Sequence, residues 1–297
     1  MNEMRNGTVV VTKKKAAVQC ILIWLAALGI QVAVAVVIGL IASFSIIEEA
    51  KSTAAMLSPD FIERYSQVIT DKLMENSGIV ALLTTIVSTA VAIVWYYRKY
   101  MKERAKQMVS GAVSKVRSVN TVIAVVLMAL GTHYVMIIAA QFAEFVLPQS
   151  SIDGYEEVIR LAGVDSVFGM LLAVFVAPIN EELFFRGLVY RKMREAWSVR
   201  ASIIVAGVLF ALLHLIPYQV IYALPAGILL SWIMSRYDSV LPGILTHILV
   251  NAYSFVGDRI DPMITEKIGI PGGMAVFAVV AIAALSAGVY KIKRITA

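Results

Sequence analysis

Eight long apolar runs constrain the fold of this chain more than any other feature of its sequence. A helix needs about 20 apolar residues to cross the hydrocarbon core of a bilayer, where it satisfies its own backbone polar groups. The composition agrees, because 60% of the residues are hydrophobic and 15% are charged, whereas soluble domains have about half and about a quarter. We therefore predict an all-α, polytopic integral membrane protein with about eight transmembrane helices, over residues 16–47, 78–97, 119–147, 166–190, 199–216, 218–235, 240–256 and 273–290.

Charge is distributed unevenly between the two sides of this predicted topology. The strongly basic segments all fall on one side, and the alternating loops 48–77, 148–165 and 257–272 are mainly acidic. The positive-inside rule then predicts cytoplasmic N and C termini. The net charge of +6 therefore reflects topology and contact with anionic lipid headgroups, and it does not indicate a nucleic-acid partner. The basic segments are 13–15, 98–117, 191–194 and 291–294.

Two carboxylates and a guanidinium occur within six residues, in Glu181-Glu182-Leu-Phe-Phe-Arg186 at the end of an apolar run. Charges in a membrane span are costly, so they mark a candidate functional site. Glu182 and Arg186 are four residues apart and can pair on one helical face. Glu181 points about 100° away and is available for chemistry. Pro178 should kink the helix near Val174. The alternative is that all three charges only tie helices together.

Two of the three histidines form a further polar pattern in neighbouring spans. His214 follows Phe210 by four residues, and His247 precedes Asn251 by four residues, so each pair shares a helical face. A single intramembrane histidine is more often a hydrogen-bonded packing residue than a catalyst. His133 has no carboxylate nearby in sequence, and we interpret it as a structural residue or a polar contact near the middle of the bilayer.

Depth counting brings these polar residues together. At about 1.5 Å per residue from the inner helix ends, Glu181, His214, His247 and Asn251 reach similar depths, somewhat nearer the cytoplasmic side. Such a set suits hydrolysis: Glu181 can act as general base on a water that His214 helps to hold. His247 and Asn251 can donate hydrogen bonds to the oxyanion. No serine or cysteine nucleophile is obvious, which favours direct attack by water.

A metal is the other use of these residues. Glu181, His214 and His247 resemble a two-histidine, one-carboxylate zinc set with an open position for water. The helical His-Glu-x-x-His arrangement is absent, however. The cofactor prediction is therefore either none or a divalent metal such as Zn²⁺, and metal-free catalysis is slightly favoured.

Taken together and in order, the three motifs resemble the CPBP family of intramembrane proteases, also called the type II CAAX endopeptidase or Abi family, which includes the Ras-converting prenyl protease. The family pattern is Glu-Glu-x-x-x-Arg, Phe-x-x-x-His and His-x-x-x-Asn. Here it corresponds to 181–186, 210–214 and 247–251. The resemblance implies that Glu181 activates water with His214, and that residues matching His247 and Asn251 serve the oxyanion. Glu182, Arg186 and Phe210 would support the site.

The resemblance also implies a partner and an organisation. The substrate would be a membrane-associated peptide or protein, possibly lipidated, as in CAAX-type or bacteriocin processing, at a site that opens toward the cytoplasm of a prokaryotic plasma membrane. The chain would form one membrane domain with N-terminal helices in 1–165, a catalytic core in 166–256 and a C-terminal helix in 257–297. Loops 48–77 and 98–117 could hold short amphipathic surface helices. The alternatives are a non-catalytic immunity or scaffold protein and a proton-coupled transporter.

Overall fold

The computed structural model describes residues 3–5, 8–51, 77–101 and 118–297. A short antiparallel hairpin pairs β1 (Glu3–Arg5) with β2 (Thr8–Val10), and it was not expected from the sequence. Apart from this hairpin, the secondary structure of the described residues is helical, which confirms the all-α prediction for the membrane-spanning part. The predicted surface helices of loops 48–77 and 98–117 fall largely outside the described residues.

The described helices are α1 (Lys13–Lys51), α2 (Ser77–Tyr96, followed by a π-helical turn, Tyr97–Met101), α3 (Val119–Val146), α4 (Gln149–Leu161), α5 (Val167–Arg194), α6 (Val199–Leu213), α7 (Pro217–Tyr237) and α8 (Leu241–Ile295). Six of them are long and apolar enough to cross a membrane, namely α1, α2, α3, α5, α7 and α8. In α8, Gly269 has non-helical dihedral angles (φ 77°, ψ 160°), so α8 consists of two helical segments. With the shorter α6, eight apolar segments are available for crossings, in agreement with the prediction.

The first helix begins and the last helix ends on the same side of the bundle, which is the side of the basic segment 191–194. Trp197 Nε1, after α5, donates to the Lys13 carbonyl at 3.3 Å. Arg236 Nε, at the end of α7, donates to Thr296 Oγ1 at 3.0 Å. We call this the basic side. The contacts agree with the even number of predicted crossings.

The opposite side carries the amphipathic helix α4, which lies outside the predicted spans, and we call it the α4 side. The backbone N–H of Tyr218, at the start of α7, donates to Ser151 Oγ at 3.1 Å, and the Tyr218 hydroxyl donates to Glu144 at 3.2 Å. The rings of Tyr155 and Tyr222 pack edge-to-face, with centroids 5.7 Å apart. These contacts hold α4 against the end of the bundle.

The helix α5 is irregular on both sides of the glutamate pair. A π-helical stretch, Leu172–Val176, precedes the regular segment Ala177–Glu182, and a second one, Leu183–Tyr190, follows it. Pro178 lacks a backbone N–H and cannot continue the α-helical ladder. The predicted distortion near Val174 is therefore confirmed, in the form of a π-helical stretch.

Two boundaries differ from the prediction. The helix α6, which corresponds to the fifth predicted span, ends at Leu213, three residues before the predicted end, because Leu215 has a positive φ of 64°. Its 15 residues span only about 22 Å, less than the roughly 30 Å hydrocarbon core, so a loop at its end can lie within the membrane. The helix α8, which begins with the seventh predicted span, continues through 257–268, which the sequence indicated as a loop.

Small residues allow close helix contacts around the core. A Cβ on Gly227 of α7 would lie 2.6 Å from the carbonyl oxygen of Gly207 on α6, so these helices touch through their backbones, as is common in membranes. Phe184, Phe185 and Leu188 of α5 are almost completely buried beside this crossing. The glutamate motif is therefore held on a tightly packed helix.

Candidate active site

The site is built around an ion pair with no solvent exposure. Arg186 Nη1 lies 2.6 Å from Glu182 Oε1, and both side chains are 0% exposed. The other guanidinium nitrogen donates to the Gly227 carbonyl at 2.9 Å, and the guanidinium carbon lies 4.5 Å from the centroid of the Phe210 ring. The predicted pairing is confirmed. A buried guanidinium needs such partners, because an unpaired charge in this setting is very costly.

His247 joins this pair to the second glutamate. Its Nδ1 lies 3.1 Å from Glu182 Oε1, and its Nε2 lies 3.8 Å from Glu181 Oε2. An ionised carboxylate only accepts hydrogen bonds, so Nδ1–H donates to Glu182 and Nε2 is directed toward Glu181. Glu182 thus also positions a histidine 65 residues away, a contact that helical spacing could not reveal.

A glycine makes this contact possible. Gly243 lies one turn before His247 on α8, and a Cβ at this position would be 2.8 Å from Glu182 Oε2. Because a real Cβ does not approach an oxygen so closely, only glycine lets α8 approach the buried carboxylate without displacement. The sequence signal is a glycine four residues before the histidine, which by itself is weak.

His214 is oriented by its own helix. Its Nδ1 lies 3.2 Å from the Phe210 carbonyl and 3.3 Å from the Ala211 carbonyl. Since a carbonyl only accepts, Nδ1 carries the hydrogen, and in the neutral ring Nε2 is a free acceptor. His214 forms the C-cap of α6. The prediction that it lies inside a continuous helix is therefore wrong.

Asn251 compensates for the missing backbone donor of α5. In the π-helical stretch, the Ala177 N–H donates to the Leu172 carbonyl, five residues back. The next donor in this pattern would be Pro178, which has no N–H, and its acceptor would be the Ala173 carbonyl. Asn251 Nδ2 donates to that carbonyl at 2.8 Å. One amide hydrogen of Asn251 is therefore used structurally, and the second is available.

A cavity of about 520 Å³ unites the predicted residues. Glu181, His214, His247 and Asn251 all line it, and so does Phe210. The Glu181 side chain is 18% exposed, whereas that of its neighbour Glu182 is 0% exposed. The predicted convergence of these side chains on one site is thus confirmed. The separate direction of the two glutamates is confirmed as well, and the catalytic roles stay predictions.

The cavity extends toward the α4 side. On α3 its lining begins at His133 and ends at Ala140, in the half of the helix nearer α4, and on α8 it continues from His247 to Asp258. Tyr155 of α4 lines it as well. The predicted opening toward the cytoplasm stays a prediction. Depth counting gave the level of the polar groups in the membrane but not the side on which the helices leave space.

The three predicted metal ligands do not form a ligand cluster. Among the described residues, no group of three or more His, Cys, Asp or Glu side chains is arranged to hold a metal ion. His247 Nδ1 is engaged with Glu182, and His214 Nδ1 with backbone carbonyls, which leaves Nε2 of each ring, as in histidines that bind a metal. The cofactor prediction, either none or a divalent metal such as Zn²⁺, therefore stays a prediction, and we derive no step through a metal.

His133 has a carboxylate partner that the sequence did not reveal. Its Nε2 lies 3.3 Å from Asp261 Oδ2, and the Tyr134 hydroxyl donates to the other oxygen of Asp261 at 3.3 Å. Tyr134 and Tyr253 also share a hydrogen bond of 3.0 Å. The interpretation of His133 as a polar structural contact agrees with this network. Asp261 was missed because 257–272 was expected to be a loop.

Comparison with protein families adds an independent observation. One family model, described as Type II CAAX prenyl endopeptidase Rce1-like, matches residues 163–253. We call residues 163–253, which are similar to this family, the Rce1-like segment. The Rce1-like segment contains all seven predicted motif positions and the helices from α5 to the start of α8, and it nearly coincides with the predicted core 166–256.

The match confirms the resemblance that the motifs indicated. The matched residues are similar to a family of CAAX-type proteases, and the long apolar helices indicate an integral membrane protein. No curated protein and no solved structure matched the chain in the corresponding searches.

Proposed function

We propose that the protein is an intramembrane endopeptidase that hydrolyses a peptide bond of a membrane-associated polypeptide with a water molecule activated by Glu181. The observation that supports this most is the different environment of the two adjacent glutamates. Glu182 pairs with Arg186 and His247 in the buried interior, whereas Glu181 faces a cavity. A structural pair alone does not account for a second intramembrane carboxylate beside a cavity.

In the proposed reaction, the water oxygen forms a bond to the peptide carbonyl carbon. Glu181 takes one proton from this water as general base. The Nε2 atom of His214 accepts a hydrogen bond from the same water, because Nδ1 is committed to backbone carbonyls. Collapse of the tetrahedral intermediate breaks the C–N bond, and Glu181 returns the proton to the leaving amine.

Two donors serve the oxyanion in this scheme. Asn251 contributes the amide hydrogen that does not bind the Ala173 carbonyl. His247 donates from Nε2 in its doubly protonated form, since its Nδ1–H is directed to Glu182. Donors fixed before the reaction stabilise developing charge more effectively than mobile water. The scheme uses side chains alone and needs no metal.

The test is a cleavage screen with membrane-anchored peptides and the purified full chain in detergent. Loss of a general base lowers rates by about 10²- to 10⁴-fold, so Glu181→Gln should lower cleavage by that factor and leave the helical content unchanged. Glu157→Gln, at an exposed glutamate paired with Arg160, is the matched control and should cleave normally. An unchanged rate in Glu181→Gln would contradict the proposed mechanism.

The finer identity is also a proposal. The chain would act in the manner of CPBP or Abi proteins of a prokaryotic plasma membrane, on CAAX-type or bacteriocin-type substrates, lipidated or not. The alternative is a non-catalytic family member in self-immunity or as a scaffold. That alternative predicts no cleavage by the wild type, and it predicts that Glu181→Gln protects cells against the bacteriocin as well as the wild type does. The same variant therefore distinguishes the two functions.

A further inference from the structure

Asn180, one residue before the proposed base, is bonded to two helices of the N-terminal half. Its Nδ2 donates to Ser88 Oγ of α2 at 3.0 Å, and its Oδ1 accepts from Gln31 Nε2 of α1 at 3.4 Å. Asn180 is 1% exposed and Ser88 is 0% exposed. A buried amide costs free energy unless it is hydrogen-bonded, and polar side chains of this kind join helices in membranes. The two contacts tie α5 to α1 and α2 at the level of the glutamate pair.

Three consecutive side chains of α5 are directed to three different neighbours. Successive residues of a helix point about 100° apart. Asn180 is directed to α1 and α2, and Glu182 to its ion pair with Arg186. Glu181, between them in the sequence, lines the cavity. The angle at which Glu181 meets the cavity therefore depends on how its two neighbours are held.

The backbone of α5 supports this angle less than a regular helix would. The segment Ala177–Glu182 lies between the π-helical stretches Leu172–Val176 and Leu183–Tyr190, where the regular hydrogen-bond ladder is interrupted. Contacts with other helices then help to set the rotation of the segment. Glu182 makes such a contact with His247 on α8, and Asn180 makes one on the side of α1 and α2.

Resting on the proposed protease function, we propose that Asn180 is a positioning residue, which holds Glu181 toward the cavity through its bonds to Ser88 and Gln31. The helices α1 and α2 then contribute to the active site, although both lie outside the Rce1-like segment. Glu181 remains the group that takes the proton, and Asn180 acts only on its direction. A displacement of a catalytic group by about 1 Å can lower a rate about 10²-fold.

The first measurement is the kinetics of peptide cleavage by the purified full chain in detergent. Asn180→Ala should lower kcat by about 10- to 100-fold and change KM by less than about twofold, because the rest of the cavity wall is unchanged. Ser88→Ala should lower kcat in the same way, and Ser88→Thr, which keeps the accepting hydroxyl, should restore most of it. Wild-type kcat in Asn180→Ala would overturn the inference.

Two comparisons assign the effect to this contact. Ser202→Ala removes an equally buried hydroxyl, which donates within α6, and it should cleave like the wild type. The double variant Asn180→Ala/Ser88→Ala should be no slower than Asn180→Ala alone, because both changes remove the same hydrogen bond. Fully additive losses in the double variant would contradict the inference.

The direction of the side chain at position 181 can be measured without catalysis. In a Cys20→Ala background, which removes the only cysteine of the chain, Glu181→Cys places a single thiol in the cavity wall. Methyl methanethiosulfonate is applied to the purified protein. Adding Asn180→Ala should slow the modification by about threefold or more, because rotation moves the thiol out of the cavity wall.

This readout separates positioning from stability alone. Loosening of the bundle would expose the thiol and speed its modification, so an equal or faster rate after Asn180→Ala would overturn the inference. Ser88→Ala keeps the Gln31 contact and is the milder variant. It should slow the modification in the same direction, which keeps the inference testable if Asn180→Ala does not fold.

Glu181→Gln distinguishes a failure of the protease mechanism from a failure of the positioning. If Glu181→Gln cleaves as fast as the wild type and Asn180→Ala still slows thiol modification, the protease mechanism fails and the positioning stands. If Glu181→Gln loses cleavage as expected and Asn180→Ala changes neither kcat nor thiol modification, the positioning fails and the protease mechanism stands.

Discussion

Replacing Glu182 by glutamine tests the energetic role of the buried pair. The change leaves Arg186 charged and completely buried, with the Gly227 carbonyl and the Phe210 ring as its remaining partners. Removing one partner of a buried ion pair costs about 3–5 kcal/mol, and the two surviving contacts favour the lower end. Glu181→Gln makes the same chemical change one residue earlier, at a partly exposed side chain. It should alter stability by about 0.5 kcal/mol or less.

Thermal unfolding of the purified full chain in detergent measures this difference. A loss of about 3 kcal/mol corresponds to a decrease in Tm of roughly 6–12 °C for a chain of this size class. Glu182→Gln should therefore unfold at least about 6 °C below Glu181→Gln. The double variant Glu182→Gln/Arg186→Met should recover part of the loss, because no uncompensated charge remains. Equal Tm values for the two single variants would refute the reasoning.

Three further predictions concern the support of the site and its cofactor. Gly243→Ala should slow cleavage by about tenfold or more, since its Cβ would displace the carboxylate that holds the histidine; Gly154→Ala, with nothing within 4 Å, should cleave normally. Asn251→Ala should cost about 1–3 kcal/mol by leaving a buried carbonyl without a donor. Thermal unfolding should show a smaller cost in a Pro178→Ala background, where a backbone N–H is restored. A strong chelator, followed by zinc, should leave the rate of cleavage unchanged, and loss with recovery would demonstrate a metal requirement.

Helical periodicity was sufficient for much of the site. The pairing of Glu182 with Arg186 and the separate direction of Glu181 follow from spacing within one helix, and the structure has both. Contacts between helices were beyond such reasoning. The bond from His247 to Glu182 and the bond from His133 to a distant aspartate depend on how helices pack, which no local pattern encodes.

Boundaries were predictable where hydrophobicity changes and not where the backbone changes. The positions of the long apolar helices follow from composition, whereas the early end of α6 at Leu213 depends on a positive φ two residues later. Similarly, α8 continues through charged residues that resemble a loop in sequence and ends its first segment at Gly269. The extension of the cavity toward α4 depends on how α4 packs on the bundle. The sequence of loop 148–165, which contains α4, gave no signal that it would line the cavity.

The two π-helical stretches of α5 have a consequence for how such a site can change. Each π-helical turn accommodates an extra residue relative to a regular α-helix. The orientation of the six-residue segment Ala177–Glu182 around the helix axis is therefore not fixed by a regular α-helical register with the rest of α5. Deleting one residue from Leu172–Val176 would restore α-helical geometry there and leave both glutamates near their present orientation, because the wide turn is what accommodates the extra residue. A single-codon deletion in this stretch is thus compatible with a carboxylate that faces the cavity, whereas the same deletion within the regular segment would rotate the residues after it by about 100°.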